Sequence, residues 1–428
     1  MAVSKPNKFL NPDMIADRGL KLLHQQANFI GHITRGYDDR YAKRGAKIGN
    51  TLKIRLPNRF ASRDGATYQA QPIEEKAVSL VIDHQAGVDM SLTSADMTTS
   101  MDDFEERLLR PAMSQVVSEM ERKCLEMVSE VYSHVDASNE ATSFLRHMLA
   151  CGERLDCHLA PRDGKRVGVL APVDGSRAVD GARGLYNPVS TLSRQYREGL
   201  LGKTAGLTFF VNTHVPQPAE MTNKGSKEHT KQVSFIQDFN DIKETASGEA
   251  SQVTLDDVSA FKPGDVFTFP DLPLVHPETK RRLYYPYQGR VTAVDKENKT
   301  VTFVPKVVGL ASEDNNREVN VARDQMRTLK DGESYQINLF RVGEDHAPTQ
   351  SVIFHPEAFC LATADMQTPQ GVDFAARKVL DGISMRVLRA YDIHEDLFRC
   401  RIDVLYGIKV LRPELAVRLL GAERTGWV

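Results

Sequence analysis

Residues 383–391 read ISMRVLRAY and residues 397–411 read LFRCRIDVLYGIKVL, with the polar turn DIHED between them and RPE directly after. From Phe398 the even positions Phe398, Cys400, Ile402, Val404 and Tyr406 are apolar, while Arg399, Arg401 and Asp403 are charged. A period of two with one apolar face predicts a half-buried antiparallel strand. Strand, turn, strand and an Arg412-Pro413-Glu414 closure carry no catalytic side chains. The stretch predicts architecture, and the rest of the chain is read outward from it.

Upstream, Ser100 and Asp103 form a capping pair for a helix from about Met101, which Pro111 kinks or restarts. Met113, Val116, Val117, Met120, Cys124, Met127, Val128 and Val131 then repeat at helical spacing, a stripe that reads as core. Before it, Thr51–Arg55 and Ala77–Ile82 read as two strands joined by about twenty polar residues, a length that in a compact domain accompanies function or flexibility. The loop carries Arg55, Arg59, Arg63 and Asp64, with Glu74 and Glu75 on its return. Two readings stand, a solvated loop or an arm that pairs charges on a neighbouring subunit. At the start, Asn11-Pro12 opens an amphipathic helix through Ile15, Leu22, Leu23, Ala27 and Ile30 to about Gly31.

Between residues 141 and 221 helix and strand alternate: a helix to about Cys157, strand Arg166–Leu170, a short helix at Gly175–Ala182, another from Pro188 to Leu200 and strand Leu207–Val211. Composition changes at about Glu220. From there to about His346 short strands at Val253–Leu255, Val266–Phe269, Arg290–Val294, Lys299–Val304 and Tyr335–Phe340 alternate with turns, the pattern of a small β-barrel or sandwich. Mixed α/β character resumes at Thr349. An all-β unit within an α+β chain reads as an inserted domain.

The chain has 428 residues, 41% of them apolar, and a formal net charge of -2. That length suits two or three domains, and the balanced charge argues against a dedicated nucleic-acid binder. Apolar runs fall short of the roughly 18–20 residues that span a bilayer, so no membrane partner is expected. Five scattered cysteines fit reduced thiols. The twelve histidines give no metal motif, and the Cys151, Cys157, His158 spacing is wrong for zinc. Gly202-Lys203-Thr204 lacks the first glycine of a phosphate loop, since that position is Arg197. The acidic pairs Asp102-Asp103 and Glu105-Glu106 suit a helix N-terminus. No catalytic residues, metal or cofactor are therefore expected. An enzyme reading would rest on His355, Glu357 and Asp365.

Four segments carry a resemblance: REGLLGKTAGLTFFVNTHVP (197–216), FKPGDVFTF (261–269), GRVTAVDKENKTVTFVP (289–305) and CRIDVLYGIKVLRPE (400–414). In this order they resemble the major capsid protein of tailed double-stranded DNA phages, nearest to the coat-protein family of short-tailed Salmonella phages with an inserted domain. The resemblance implies an α+β Hong Kong 97-type fold. Its parts would be an N-terminal arm (1–36), an extended hairpin loop (37–92), a peripheral domain with a spine helix (93–140) and an axial domain (141–221 and 347–393). An inserted β-barrel-like domain (222–346) and a C-terminal strand returning to the peripheral domain (394–428) complete it. It implies a non-enzymatic protein that self-assembles in the host bacterial cytoplasm into the icosahedral shell of a virion. Its partners would be many copies of itself in hexamers and pentamers, a separate scaffolding protein, a portal protein and, in shells that carry one, a decoration protein. Packaged double-stranded DNA would be enclosed without sequence-specific contact. On this reading Arg55, Arg59, Arg63, Asp64, Glu74 and Glu75 are the candidate inter-subunit contacts. An encapsulin-type compartment is the alternative within the same fold.

Overall fold

The computed structural model describes residues 27–35, 51–58, 60, 65–66, 75–93, 110–137, 143–181, 203–204, 206–216, 230–309, 319–322, 326, 329, 333–340, 348–366, 369, 371–380 and 383–421. In chain order its first elements are β1 (Thr51–Arg55), β2 (Ala77–Val81), β3 (His84–Thr93), α1 (Arg110–Glu126), β4 (His134–Ala137), α2 (Phe144–Cys157), β5 (Val167–Leu170), α3 (Pro172–Gly181), β6 (Lys203–Thr204) and β7 (Leu207–Val211). Next come β8 (Thr230–Ser234), β9 (Ile242–Glu244), β10 (Ser251–Thr254), β11 (Val266–Val275), β12 (Arg282–Asp295), β13 (Thr300–Val304) and β14 (Gln336–Phe340). The last are β15 (Gln350–Phe354), β16 (Phe359–Ala364), β17 (Phe374–Leu380), β18 (Ile383–Asp392), β19 (Leu397–Val410) and β20 (Ala416–Gly421). Few helices and many strands make a mixed α+β chain. It divides into two compact units.

The first unit comprises the described parts of Met1–Leu56, Ala77–Leu125 and Phe359–Leu411. Its organiser is β19. On one side β19 pairs antiparallel with β18, from Leu397 opposite Asp392 to Asp403 opposite Arg386. On the other it pairs with β3 from Leu397 opposite Thr93 to Tyr406 opposite His84, and its C-terminal half pairs with β16. The alternation expected from the sequence holds at Ile402, Val404 and Tyr406, which are buried, and at Arg399 and Arg401, which are exposed, whereas Asp403 on the charged side is buried. Strand β3 is an element that sequence reasoning missed. Gly407 is required where β2 passes, because a Cβ there would stand 2.2 Å from the Val81 carbonyl oxygen. In α1, Met113, Val116, Val117, Met120 and Cys124 are buried as the stripe predicts. Beyond it the stripe continues through a 3-10 turn at Met127–Glu130. Of the expected N-terminal helix only the end is described, as a 3-10 turn at Ile30–His32, and the rest lies outside the described residues. Around that turn, Phe29 N donates to the buried Glu121 carboxylate at 2.8 Å, and Thr34 exchanges backbone hydrogen bonds with Phe359 and Leu361 of β16.

The second unit holds two sheets. One has the order β4-β20-β15-β5-β7-β6. Strands β5, β15 and β20 are buried along their whole length, as strands covered on both faces should be, with Gln350, Ser351 and Arg418 the polar residues among them. Asp174, in the first turn of α3, accepts hydrogen bonds from Ser351 and Thr349 and ties that helix to β15. The pairing distributes the C-terminal third differently from the expected split at 393. Gln350–Phe354 and Ala416–Gly421 pair with each other and belong with β5, whereas 359–410 form the first unit's sheet. The expected break fell at the polar turn, but long antiparallel pairing carries β18 and β19 across it as one hairpin. The expected helix at 188–200 lies outside the described residues.

The other sheet is antiparallel, in the order β8-β14-β11-β12-β13-β10-β9, and all its strands fall within 222–346. Aromatic packing fills it: Phe267 meets Phe303 edge-on at 5.3 Å, with Phe235, Phe269 and Tyr287 around them. Residues 270–286, in which the sequence shows no strand pattern, extend the β11–β12 hairpin. Pro270, Pro273 and Pro286 interrupt the ladder there and register shifts absorb them.

Candidate assembly surfaces and the junction beneath the inserted sheet

The β1–β2 ribbon is the base of the long loop. It pairs from Thr51 opposite Val81 to Arg55 opposite Ala77. Ile54, Leu80 and Ile82 pack against Cys360, Ala362, Ala364 and Leu411, so one face is core. The other face exposes Lys53 and Arg55. Of the six predicted contact residues, Arg55 lies at the end of this exposed face and Glu75 is exposed just before β2. Arg59, Arg63, Asp64 and Glu74 lie outside the described residues.

A second charged surface, which sequence reasoning missed, runs across the first unit's sheet. Arg401 forks onto Asp89 of β3, Nε to Oδ1 at 2.6 Å and Nη2 to Oδ2 at 2.7 Å. That hydrogen-bonded guanidinium holds the Asp89 carboxyl below its ordinary range. Arg399 pairs with Asp392 and Glu395 at the hairpin turn. Arg386 pairs at 2.6 Å with Asp403, which is only 3% exposed. Above these pairs the turn presents Ile393, 77% exposed, beside a half-exposed Tyr391. The alternation of β19 was readable, but the carboxylates opposite its arginines follow from a register with β3 that no local pattern announces.

Within the second unit the seven-stranded sheet meets β4 chiefly through the side chain of Gln288. Strand β4 is the edge of its sheet. On its paired side Arg418 N donates to Ser133 O at 2.8 Å. On its free side the buried Gln288 of β12 supplies what a further strand would. Its Nε2 donates to His134 O at 2.8 Å and its Oε1 accepts from His134 N at 3.1 Å. Ser133 Oγ donates to the same Oε1, and Nε2 also reaches Thr268 Oγ1. His134 Nδ1 faces the Tyr132 carbonyl at 3.1 Å, so Nδ1 carries the proton and Nε2 accepts from Thr268 Oγ1. The ring is thus neutral. Burial pushes its pKa down to about 3, aided by the nearby Arg418 and Arg154 and opposed by the Tyr132 hydrogen bond. Arg154 donates to Pro286 O and lies over the Tyr285 ring, a second tie across the junction. Arg418 is fully buried and donates to Gln350 through Nη1, and burial lowers its pKa to about 9.

The residues on which an enzyme would rest have structural partners. His355 Nε2 faces Asp163 at 3.4 Å, Glu357 pairs with Arg412 at 3.1 Å, and Asp365 accepts from Ser384 and pairs with Arg377. Arg412 also pairs with Glu414, which makes the Arg-Pro-Glu closure an ion-paired turn. Cys151 is buried in α2, where burial pushes its thiol pKa up. No group of three metal-ligating side chains occurs among the described residues.

Residues 38–421 match the family described as P22 coat protein - gene protein 5. No curated protein matches the sequence. Among solved structures, one from Mycobacterium phage Che8 is similar at 12% identity and a TM-score of 0.45, over 92% of this chain and 91% of that one. The mature capsid of bacteriophage PhiM1 is similar at 10% identity and a TM-score of 0.42, over 87% and 82%. A virus-like particle from Pyrococcus furiosus is similar at 8% identity and a TM-score of 0.38, over 95% and 97%.

Proposed function

The chain belongs to the P22 coat protein family, and from that membership we infer that it is the structural coat protein of a phage shell, built from many copies and not an enzyme. The match over residues 38–421 carries this reading, because it takes in the loop base, the spine helix, both sheets of the second unit and the closing strand. We place the fold in the Hong Kong 97 type. The first unit then supplies the extended loop and the peripheral sheet, and the second the axial sheet with the inserted domain. The closing strand β20 goes to the axial sheet with which it pairs.

Hexamers and pentamers assembled in the host cytoplasm, a separate scaffolding protein, a portal and packaged duplex DNA complete the proposal. A coat subunit needs many modest contacts that add up, so that errors can be corrected during assembly. Loop charges such as Arg55, Arg59, Arg63, Asp64, Glu74 and Glu75 suit that need, since exposed pairs set register more than affinity. Neither an encapsulin-type compartment nor an enzyme is favoured.

Negative-stain electron microscopy of the chain expressed alone and with its genomic neighbours tests the shell. Uniform closed particles are expected. Small discrete oligomers under every condition would overturn the reading.

A further inference from the structure

The edge of the six-stranded sheet marked by β6 holds a pocket of about 450 Å³ lined by four cationic side chains. Arg146, Arg162, Arg166 and Lys203 face two carboxylates, Glu153 and Asp156, an excess of two positive charges in a chain whose net charge is -2. The four cations are not equivalent. Arg166 is 5% exposed and spent on structure, donating to Pro161 O, Ala160 O and Asp156. Arg162 converges on the same Asp156, with Nε at 2.8 Å, so one carboxylate serves two guanidiniums. Arg146 reaches Glu153 through Nη1 alone, at 2.6 Å. Lys203 is exposed and has no ion-pair partner among the described residues. Two glycines at positive φ, Gly164 and Gly206, line the same wall. A Cβ on Gly206 would meet nothing within 4 Å, and one on Gly164 would come to 3.3 Å from Lys203 Nζ.

We propose that this pocket is an oxyanion site that takes a phosphate group, as presented by the backbone of enclosed duplex DNA or by free phosphate. Planar guanidinium forks and a rotatable ammonium are the side chains that meet tetrahedral oxyanions. The bare glycine wall lets such a group approach the backbone. Phosphate contacts position a duplex without reading its sequence, as a container for any genome requires. A weak site repeated over many subunits adds up. The assignment to DNA rests on the shell reading, whereas the oxyanion chemistry rests on the pocket alone.

The test uses the unassembled full-length chain. Labelled duplex DNA is titrated by fluorescence anisotropy at roughly 50 and 200 mM salt, where phosphate contacts weaken steeply, and inorganic phosphate is titrated by calorimetry. Lys203→Glu should weaken both ligands about tenfold and flatten the log–log salt dependence by about one. Lys203→Arg should restore binding, with thermal melts of all variants matching the wild type. Phosphate binding that Lys203→Glu removes, without DNA binding, supports the site and assigns it to the free ion. Equal affinities in wild type and Lys203→Glu for both ligands overturn it. Microscopy of particles from the same variants reads the shell separately, so closed Lys203→Glu shells would leave that reading standing if the pocket fails.

Discussion

Replacing Gln288 with methionine keeps the side-chain volume but removes the amide that β12 offers to the edge strand β4. The cost can be worked from the contacts. His134 N–H and His134 C=O, on a residue 2% exposed, would each lose their partner. A buried backbone group left unsatisfied costs about 1–3 kcal/mol, so two cost about 2–6 kcal/mol. Against a typical stability of about 5–15 kcal/mol that is a large fraction. Urea denaturation of the full chain should register the loss. Hydrogen exchange should localise it as faster exchange of the His134 amide, with little change in β15. A Gln288→Met protein within about 0.5 kcal/mol of wild type, with unchanged exchange at His134, would show that the side-chain amide does not act as the missing strand.

The same junction should make stability fall in acid. His134 is held near pKa 3 when folded and titrates near 6.5 when unfolded, so between those values the unfolded chain binds the extra proton. Stability is then full above about pH 6.5 and declines toward pH 3 by about 1.4 kcal/mol per pH unit from this group. His134→Gln should flatten the dependence of the denaturation midpoint on pH by one proton, and an unchanged slope would contradict the assignment. Arg386→Ala strands the buried Asp403 carboxylate and should cost about 3–5 kcal/mol. Arg401→Ala breaks the exposed pair with Asp89 and a long 4.0 Å contact to Asp403 and should cost about 1 kcal/mol, so equal midpoint shifts for the two would refute the distinction. Gly407→Ala drives a methyl group into the Val81 carbonyl oxygen, and soluble yield should collapse; wild-type yield would show that β2 can move aside. Charge reversal at Arg59 and Arg63 should lower the yield of closed shells in microscopy, and a wild-type yield would remove the loop from the contacts.

Much of the architecture was legible where one residue pattern dictates one face. The alternation of β19, the buried run of β5 and the stripe of α1 are local signals. Strand β3 was not legible: HQAGVDMSLT mixes glycine and aspartate into a weak alternation, and only pairing with β19 fixes it as a strand. Prolines hid the extension of the β11–β12 hairpin in the same way, because a proline in a strand pattern argues against a strand until a bulge accommodates it. The junction was beyond reach. Gln288 and His134 are 154 residues apart, and a lone glutamine in a strand carries no sign that it will complete another sheet. The cationic pocket likewise gathers residues from α2, the loop after it and β6.

Strand β20 lies between β4 and β15, inside its sheet rather than at the margin. Every other strand of that sheet precedes it in the chain, so during synthesis β4 has no neighbour until residues 416–421 emerge. A polypeptide broken off between β15 and β20 would keep the seven-stranded sheet yet leave β4 and one side of β15 as open edges, prone to aggregation and proteolysis. Completion of that sheet is thus tied to translation through residue 421, because β20 alone joins β4 to β15.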